Sequence, residues 1–284
     1  MTDRHNWKLG ASTCILRGAD NHTDEGFASY KDAGIKYAEF TVPVWDGSFE
    51  KLDFYDNPEK LFETAKRHDV EFATFHAPFS RDVSLSHPDE NVRVEAIKLI
   101  KKTIASAIKI GIKTIVLHPS AGWSETYSDR EAYIRQSIEH VRDINDYCQS
   151  LGGVIALENM TEDAMCGCSS EMIRFLEEIP TLAVCFDANH CTVARSEEYL
   201  ADLFNAGMKG RIKAVHISDY DLDIEAHRLP GDGKNNWNKI LSMLEKLEFD
   251  GVFMYEVSKP NDRENAYTPQ DVKHNFSLLM NGKI

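Results

Sequence analysis

Six residues able to bind a metal or move a proton each stand directly after a short apolar run. His76 follows Phe72-Ala73-Thr74-Phe75, His118 follows Thr114-Ile115-Val116-Leu117, and Glu158 follows Val154-Ile155-Ala156-Leu157. Asp187 follows Leu182-Ala183-Val184-Cys185-Phe186, His216 follows Ile212-Lys213-Ala214-Val215, and Glu256 follows Val252-Phe253-Met254-Tyr255. Each has an ordinary explanation on its own. A lone histidine after an apolar run is most often a satisfied core or loop residue, and Asp or Glu at a strand end often caps the next helix. Capping suits Asp187 but fits Glu158, followed by Asn159-Met160-Thr161, less well. Three carboxylates brought together in a buried place repel one another unless protons or a cation neutralise them. With His216 beside them, one divalent metal is the simplest neutraliser, held by Glu158, Asp187, His216 and Glu256. Three carboxylates and one imidazole are mostly hard donors, which favour Mn2+, Mg2+ or Co2+ and leave Zn2+ open.

The elements that must position these residues alternate strand and helix along the chain. A helix over about Val92 to Ile110 carries Val94, Ile97, Lys101, Ile104 and Ile108 at helical spacing, apolar but for the lysine. Gly111 ends it, and Thr114–Leu117 follows as a continuous apolar run suited to a strand buried on both faces. The cycle repeats with a helix from about Asp129 to Ser150, a break at Gly152-Gly153, and a strand at Val154–Leu157. Helices follow over about Ser170–Glu178, Glu197–Ala206, Trp237–Leu247 and Pro269–Met280, and further strands fall near Leu9–Ala11 and Tyr37–Phe40. Eight strands alternating with about eight helices predict parallel strands joined by right-handed crossovers. Eight such units in 284 residues predict an α/β fold, a (β/α)8 TIM barrel forming a single domain over residues 1–284. An open doubly wound sheet is disfavoured, because no glycine-rich phosphate fingerprint follows the first strand. In a barrel the C-terminal strand ends share one mouth, so the six residues are expected to converge there.

Composition narrows the function classes. The chain is 42% hydrophobic and 27% charged, as an ordinary globular protein is, and no apolar run approaches the length of a membrane helix. The first residues lack the apolar core of a secretory signal, so a cytoplasmic location is expected. The net charge of −14 argues against nucleic acid as a partner, since phosphate binding draws on surplus Lys and Arg. Cysteines 14, 148, 166, 168, 185 and 191 read as reduced packing thiols; Cys166-Gly-Cys168 lacks the spacing of a zinc ribbon.

With these residues in view the chain resembles the xylose isomerase-like barrels, a family of sugar isomerases and epimerases, inosose dehydratases and the endonuclease IV group. The stretches that carry the resemblance are Phe75-His76-Ala77-Pro78, Leu117-His118-Pro119, Ala156-Leu157-Glu158-Asn159, Phe186-Asp187-Ala188-Asn189-His190, Val215-His216-Ile217-Ser218-Asp219 and His227-Arg228-Leu229-Pro230-Gly231-Asp232-Gly233. The resemblance implies that Glu158, Asp187, His216 and Glu256 bind metal, with manganese the foremost candidate. It implies a sugar or polyol substrate in carbohydrate metabolism, with Glu158 and Glu256 moving protons through an enediolate. It assigns substrate contacts to His190 and Arg228, and by position to His76, His118 and His227. Trp123, together with Trp45 and Phe79, belongs to mouth loops and could pack on a sugar face. Members of the family are often dimers or tetramers, so a homo-oligomer is in keeping with it.

Two rival activities stay open. A cyclic-polyol dehydratase of the inosose type begins with the same proton abstraction. An endonuclease IV-like phosphodiesterase with a multi-zinc site uses further ligands at positions matching His76, His118, His190 and His227. In that group an aspartate stands where this chain has Glu225, and an Asn-Asp-Ser pattern where it reads Ser218-Asp219-Tyr220.

Overall fold

The computed structural model describes residues 4–16, 22–41, 57–121, 129–161, 163–191, 195–221, 224–258 and 265–284. Eight parallel strands close into a barrel: β1 (Lys8–Ser12), β2 (Tyr37–Thr41), β3 (Glu71–His76), β4 (Thr114–Leu117), β5 (Val154–Glu158), β6 (Ala183–Asp187), β7 (Ile212–Ile217) and, last in the chain, β10 (Val252–Tyr255). Between β7 and β10 a two-stranded antiparallel hairpin, β8 (Asp219–Asp221) and β9 (Ile224–Arg228), stands outside the ring. The helices are α1 (Asp24–Ala33), α2 (Pro58–Arg67), α3 (Glu90–Lys109), α4 (Arg130–Ser150), α5 (Ser169–Glu178), α6 (Ser196–Asn205), α7 (Trp237–Lys246) and α8 (Pro269–Met280). The chain is therefore the (β/α)8 barrel its alternating pattern predicts, with the hairpin as an addition to that pattern. No helix among the described residues is long and apolar enough to cross a membrane.

Period-two alternation sorts each strand into a helix-facing and a barrel-facing set. Outward residues such as Phe75, Ile155, Leu157, Phe186 and Val215 join the main core under the helices. Small inward residues, Val116, Ala156, Ala183, Cys185 and Ala214, form a separate cluster inside the barrel. Moving two residues along β5, β6 and β7 from these small side chains reaches Glu158, Asp187 and His216. The floor is thus apolar and tight, and the polar layer rests on it. Gly10 shows how tight: a Cβ there would meet Val252 Cγ1 at 2.5 Å and the end of Met254 at 2.9 Å.

The helical faces follow the sequence with one adjustment. In α4 all five stripe residues, Ile134, Ile138, Val141, Ile144 and Cys148, are buried. In α3 the buried face runs through Ala96, Ile100, Thr103, Ile104 and Ala107, rotated from the stripe read in the sequence. Val94 is left exposed, and Lys101 reaches out to Asp143 on α4 at 2.8 Å. Small residues explain the rotation, because Ala96, Thr103 and Ala107 let α3 approach the sheet closely where bulkier neighbours would hold it off. All six cysteines are free thiols.

Candidate metal centre and active site

The polar layer is assembled by strand register. Asp187 lies directly across from His216 in the β6–β7 ladder, and Glu158 lies across from Cys185, two residues before Asp187. Glu256 follows β10, two residues beyond the Met254 that pairs with His216. One ligand atom from each of Glu158, Asp187, His216 and Glu256 falls within 4.8 Å of all the others. His216 Nδ1 faces all three carboxylates, at 3.1 Å from Glu158 Oε1, 3.3 Å from Glu256 Oε2 and 3.6 Å from Asp187 Oδ2.

The backbone around the cluster is pinned by Asn159. Its side-chain oxygen accepts from the Asp187 N–H, and its amide nitrogen donates to the Asp187 carbonyl. Its own carbonyl accepts from His190 Nδ1 at 2.8 Å. Asp187 Oδ1 accepts from the Asn189 N–H, while Asp187 Oδ2 is buried with no hydrogen-bond partner. A buried carboxylate oxygen without a donor is unfavourable by itself and natural where a cation supplies the missing partner. Together with a donor set of three carboxylates and one imidazole, that orphaned oxygen fits a hard divalent ion.

Electrostatics separate the two glutamates. Burial alone would lift the Glu158 carboxyl, but the His216 and His118 rings beside it hold it well below its usual range. Burial also lifts Glu256, and there it prevails over the opposing pull of His216 and His227. Burial disfavours charge on His216, yet Cys185, Glu256, Glu39 and Glu158 outweigh it and raise its pKa well above the ordinary value. His118 goes the other way: burial pushes it down to about 4 against the attraction of Glu158.

The remaining histidines gather on the same centre. His118 Nε2 lies 3.1 Å from Glu158 Oε2 and His76 Nε2 lies 3.3 Å from it. His190 Nδ1 is 3.3 Å from Glu158 Oε1. Glu158 therefore turns one oxygen to His216 and His190 and the other to His118 and His76. Phe79 lies against His118 with ring centroids 4.1 Å apart and ring planes tilted by 33°, so this aromatic does lie beside the centre. His227 Nδ1 donates to the Glu256 carbonyl at 3.0 Å, and its backbone sits at φ +44°, a conformation a β-carbon disfavours. Arg228, half-buried at the end of β9, stands opposite Asp219 in the backbone ladder of the hairpin. Trp45 and Trp123 lie outside the described residues, as does the side chain of Glu225.

Two residues of this region were not singled out for chemistry in the sequence. Asp219 is fully buried, and its carboxylate accepts from the N–H groups of Tyr220, Gly231, Gly233 and Asn235 and from Trp237 Nε1. It gathers the Pro230–Asn235 loop around itself and so fixes the hairpin that bears His227 and Arg228. Gly233 makes the wrap feasible, since a Cβ there would sit 2.5 Å from the Asp219 carboxyl carbon. Glu39, inside β2, is the second: its carboxylate is fully buried and reaches His216 from the far side.

The chain shares 25% identity over 240 residues with an uncharacterized protein of Methanocaldococcus jannaschii, covering 84% of this chain and 88% of that one. A probable endonuclease 4 of Acholeplasma laidlawii is 29% identical over 197 residues, 62% of this chain and 63% of its own. Among solved structures, a D-tagatose 3-epimerase-like protein superposes with a TM-score of 0.77 at 22% identity, over 97% of this chain and 99% of that one. The family description "xylose isomerase-like TIM barrel" matches residues 27–277, and the chain belongs to that family.

Proposed function

We propose that this chain is a divalent-metal-dependent isomerase or epimerase acting on a sugar or polyol, with Glu158 and Glu256 as its acid and base. The observation that carries the reading is the quartet of Glu158, Asp187, His216 and Glu256, drawn together at the barrel mouth with one unsatisfied carboxylate oxygen at its centre. A divalent cation bound there, Mn2+ foremost, would polarise a substrate carbonyl and make the neighbouring C–H acidic. Glu158, whose carboxyl is held well below its usual range, suits the base that takes that proton. Glu256, whose pKa is raised, suits the acid that returns one from the other side of the substrate. Reprotonation of the same carbon from the opposite face inverts it, and protonation of the neighbouring carbon isomerises the sugar. His190 and His227 lie beside the centre, and together with Arg228 they would hold substrate oxygens, with Phe79 as an apolar wall. We assign the enzyme to carbohydrate metabolism in the cytoplasm.

The test is exchange of a substrate C–H proton with solvent. Metal-loaded protein is incubated in deuterated water with a panel of ketoses and inososes, and deuterium at the carbon beside the carbonyl is read by NMR. Incorporation without net loss of water supports the epimerase or isomerase, whereas incorporation with dehydration moves the assignment to the dehydratase. No exchange across the panel by protein holding a full metal complement overturns the proposal. Glu158→Ala with Asp187→Ala is expected to lose the metal, and unchanged metal content after dialysis would refute the quartet.

A second reading has a specific observation behind it. The two oxygens of Glu158 face different histidine sets, as a carboxylate shared between two ions would. That arrangement, with the similarity to a probable endonuclease 4, favours a multi-metal phosphodiesterase. Two or three zinc ions per chain and cleavage of DNA at abasic sites would establish it over the sugar enzyme.

A further inference from the structure

We infer that Glu39 is a positioning residue for the metal centre, holding His216 in the one tautomer that can ligate a cation; this rests on the metal site proposed above. His216 has two ring nitrogens with opposite surroundings. Nδ1 looks toward Glu158, Glu256 and Asp187, while Nε2 lies 3.0 Å from Glu39 Oε1 and 3.1 Å from Glu39 Oε2. A neutral imidazole carries one proton, and a ligating nitrogen must be the one without it. The carboxylate of Glu39 can only accept there, so it keeps the proton on Nε2 and turns the Nδ1 lone pair toward the three carboxylates. Hydrogen bonding of this kind also raises the basicity of the ligating nitrogen.

Glu39 is itself fixed. Thr74 Oγ1 donates to Glu39 Oε2 at 2.8 Å, an arrangement made by the β2–β3 ladder, where a register shift between Ala38 and Glu39 sets Glu39 opposite Thr74. Both residues are buried inside the barrel, Glu39 completely. Burying a carboxylate is unfavourable unless it is paired, and its partners here are the His216 ring and the Thr74 hydroxyl. Nothing in packing asks for a charge at this position, since the residues beside Glu39 in the two flanking ladders, Ser12 and Thr74, are small and uncharged. A requirement of His216 accounts for it.

The test compares Glu39→Gln with wild type and with Thr74→Val. The glutamine has the same shape, but its amide group can offer Nε2 a donor and so admits the other tautomer. Mn2+ affinity is measured by competition with a chelator, without reference to any substrate. Glu39→Gln is expected to weaken binding about 10- to 100-fold, with Thr74→Val weakening it less. Long-range proton–nitrogen correlation of the His216 ring in the Zn2+-loaded protein should show Nε2 protonated in wild type, and a lost or mixed pattern in Glu39→Gln. A thermal midpoint of the metal-free variant at or above that of wild type separates this from general damage. Glu39→Asp, which keeps the charge, should recover part of the affinity. If Glu39→Gln binds Mn2+ within twofold of wild type, or leaves the ring pattern unchanged, the positioning role is wrong while the metal site stands. If wild type itself binds no divalent ion, the metal site and this inference fall together.

Discussion

Asp187→Asn should make the metal-free protein more stable and the metal-loaded protein less so. The substitution keeps the shape of the side chain, the bond from the Asn189 N–H to Oδ1 and both main-chain bonds to Asn159. What changes is Oδ2, a buried oxygen with no donor, which becomes an amide group among the carboxylate oxygens of Glu158 and Glu256. Relieving one unsatisfied buried acceptor is worth about 1–3 kcal/mol. For a chain of this size that corresponds to a rise of roughly 2–6 °C in the metal-free midpoint. With metal at a thousand times its dissociation constant, wild type gains about 4.1 kcal/mol from binding, and the variant gains much less. The order of stabilities should therefore invert between chelator and added Mn2+. Calorimetric or near-ultraviolet circular dichroism melts of both proteins under both conditions read it directly. A variant less stable than wild type in chelator would refute the reasoning, because Asp187 would then be a structural carboxylate and not one awaiting a cation.

Three further outcomes are expected. Glu256→Gln, assayed at saturating metal, should lower turnover roughly 100- to 10,000-fold while the fold persists; near-wild-type turnover of the true substrate removes Glu256 from the proton path. His118 stays neutral in the fold to about pH 4, whereas in the unfolded chain it takes a proton near pH 6.5. Its folded pKa being the lower, stability is full above 6.5 and falls as the pH drops toward 4, by up to about 3 kcal/mol. Denaturant midpoints in chelator from pH 7.5 to 4.5 should thus fall less steeply for His118→Gln, and parallel curves would discard this account. Asp219→Asn sets an amide against several of the five donors the carboxylate now accepts, and should cost about 3 kcal/mol or more in chemical denaturation. A loss under 1 kcal/mol would mean that the loop does not depend on it.

The strands were legible because each is a short apolar run closed by a glycine or polar break, and most observed boundaries fall within one residue of those runs. Reading the residue after each run found His76, His118, Glu158, Asp187, His216 and Glu256, because in parallel strands of similar length the polar layer begins where the apolar floor stops. The same rule passed over Glu39. It lies inside β2, and only the register shift against β3 lifts it to the level of Thr74 and His216. Register between strands about 35 residues apart leaves no local trace in the sequence. Asp219 is hidden for a related reason: four of its five donors lie 12 to 18 residues downstream, and an Asp after a strand looks alike whether it caps a helix or gathers a loop. On α3 the spacing of large apolar residues located the helix but misjudged its face, since small residues decide how closely a helix can lie on a sheet.

The charge of the cluster ties the metal count to the kind of substrate. Glu39, Glu158, Asp187 and Glu256 together bring four carboxylates into or beside the barrel mouth, and His216 must be neutral at Nδ1 to ligate. One divalent ion cancels two of those charges. For His76, burial opposes a proton but the bond and charge of Glu158 prevail, raising its pKa. Such a centre keeps residual negative character, which admits a neutral sugar and repels a phosphodiester. Two divalent ions cancel all four charges and require His76 and His118 neutral, which removes the repulsion an anionic substrate would meet. Metal stoichiometry and substrate charge should therefore change together. One ion per chain predicts turnover of uncharged ketoses or inososes that added phosphate does not inhibit. Two or more predict phosphate inhibition and activity on a phosphodiester. A protein with one ion per chain that is strongly inhibited by phosphate would break that link, and would show that charge at the mouth is set by groups other than these four carboxylates.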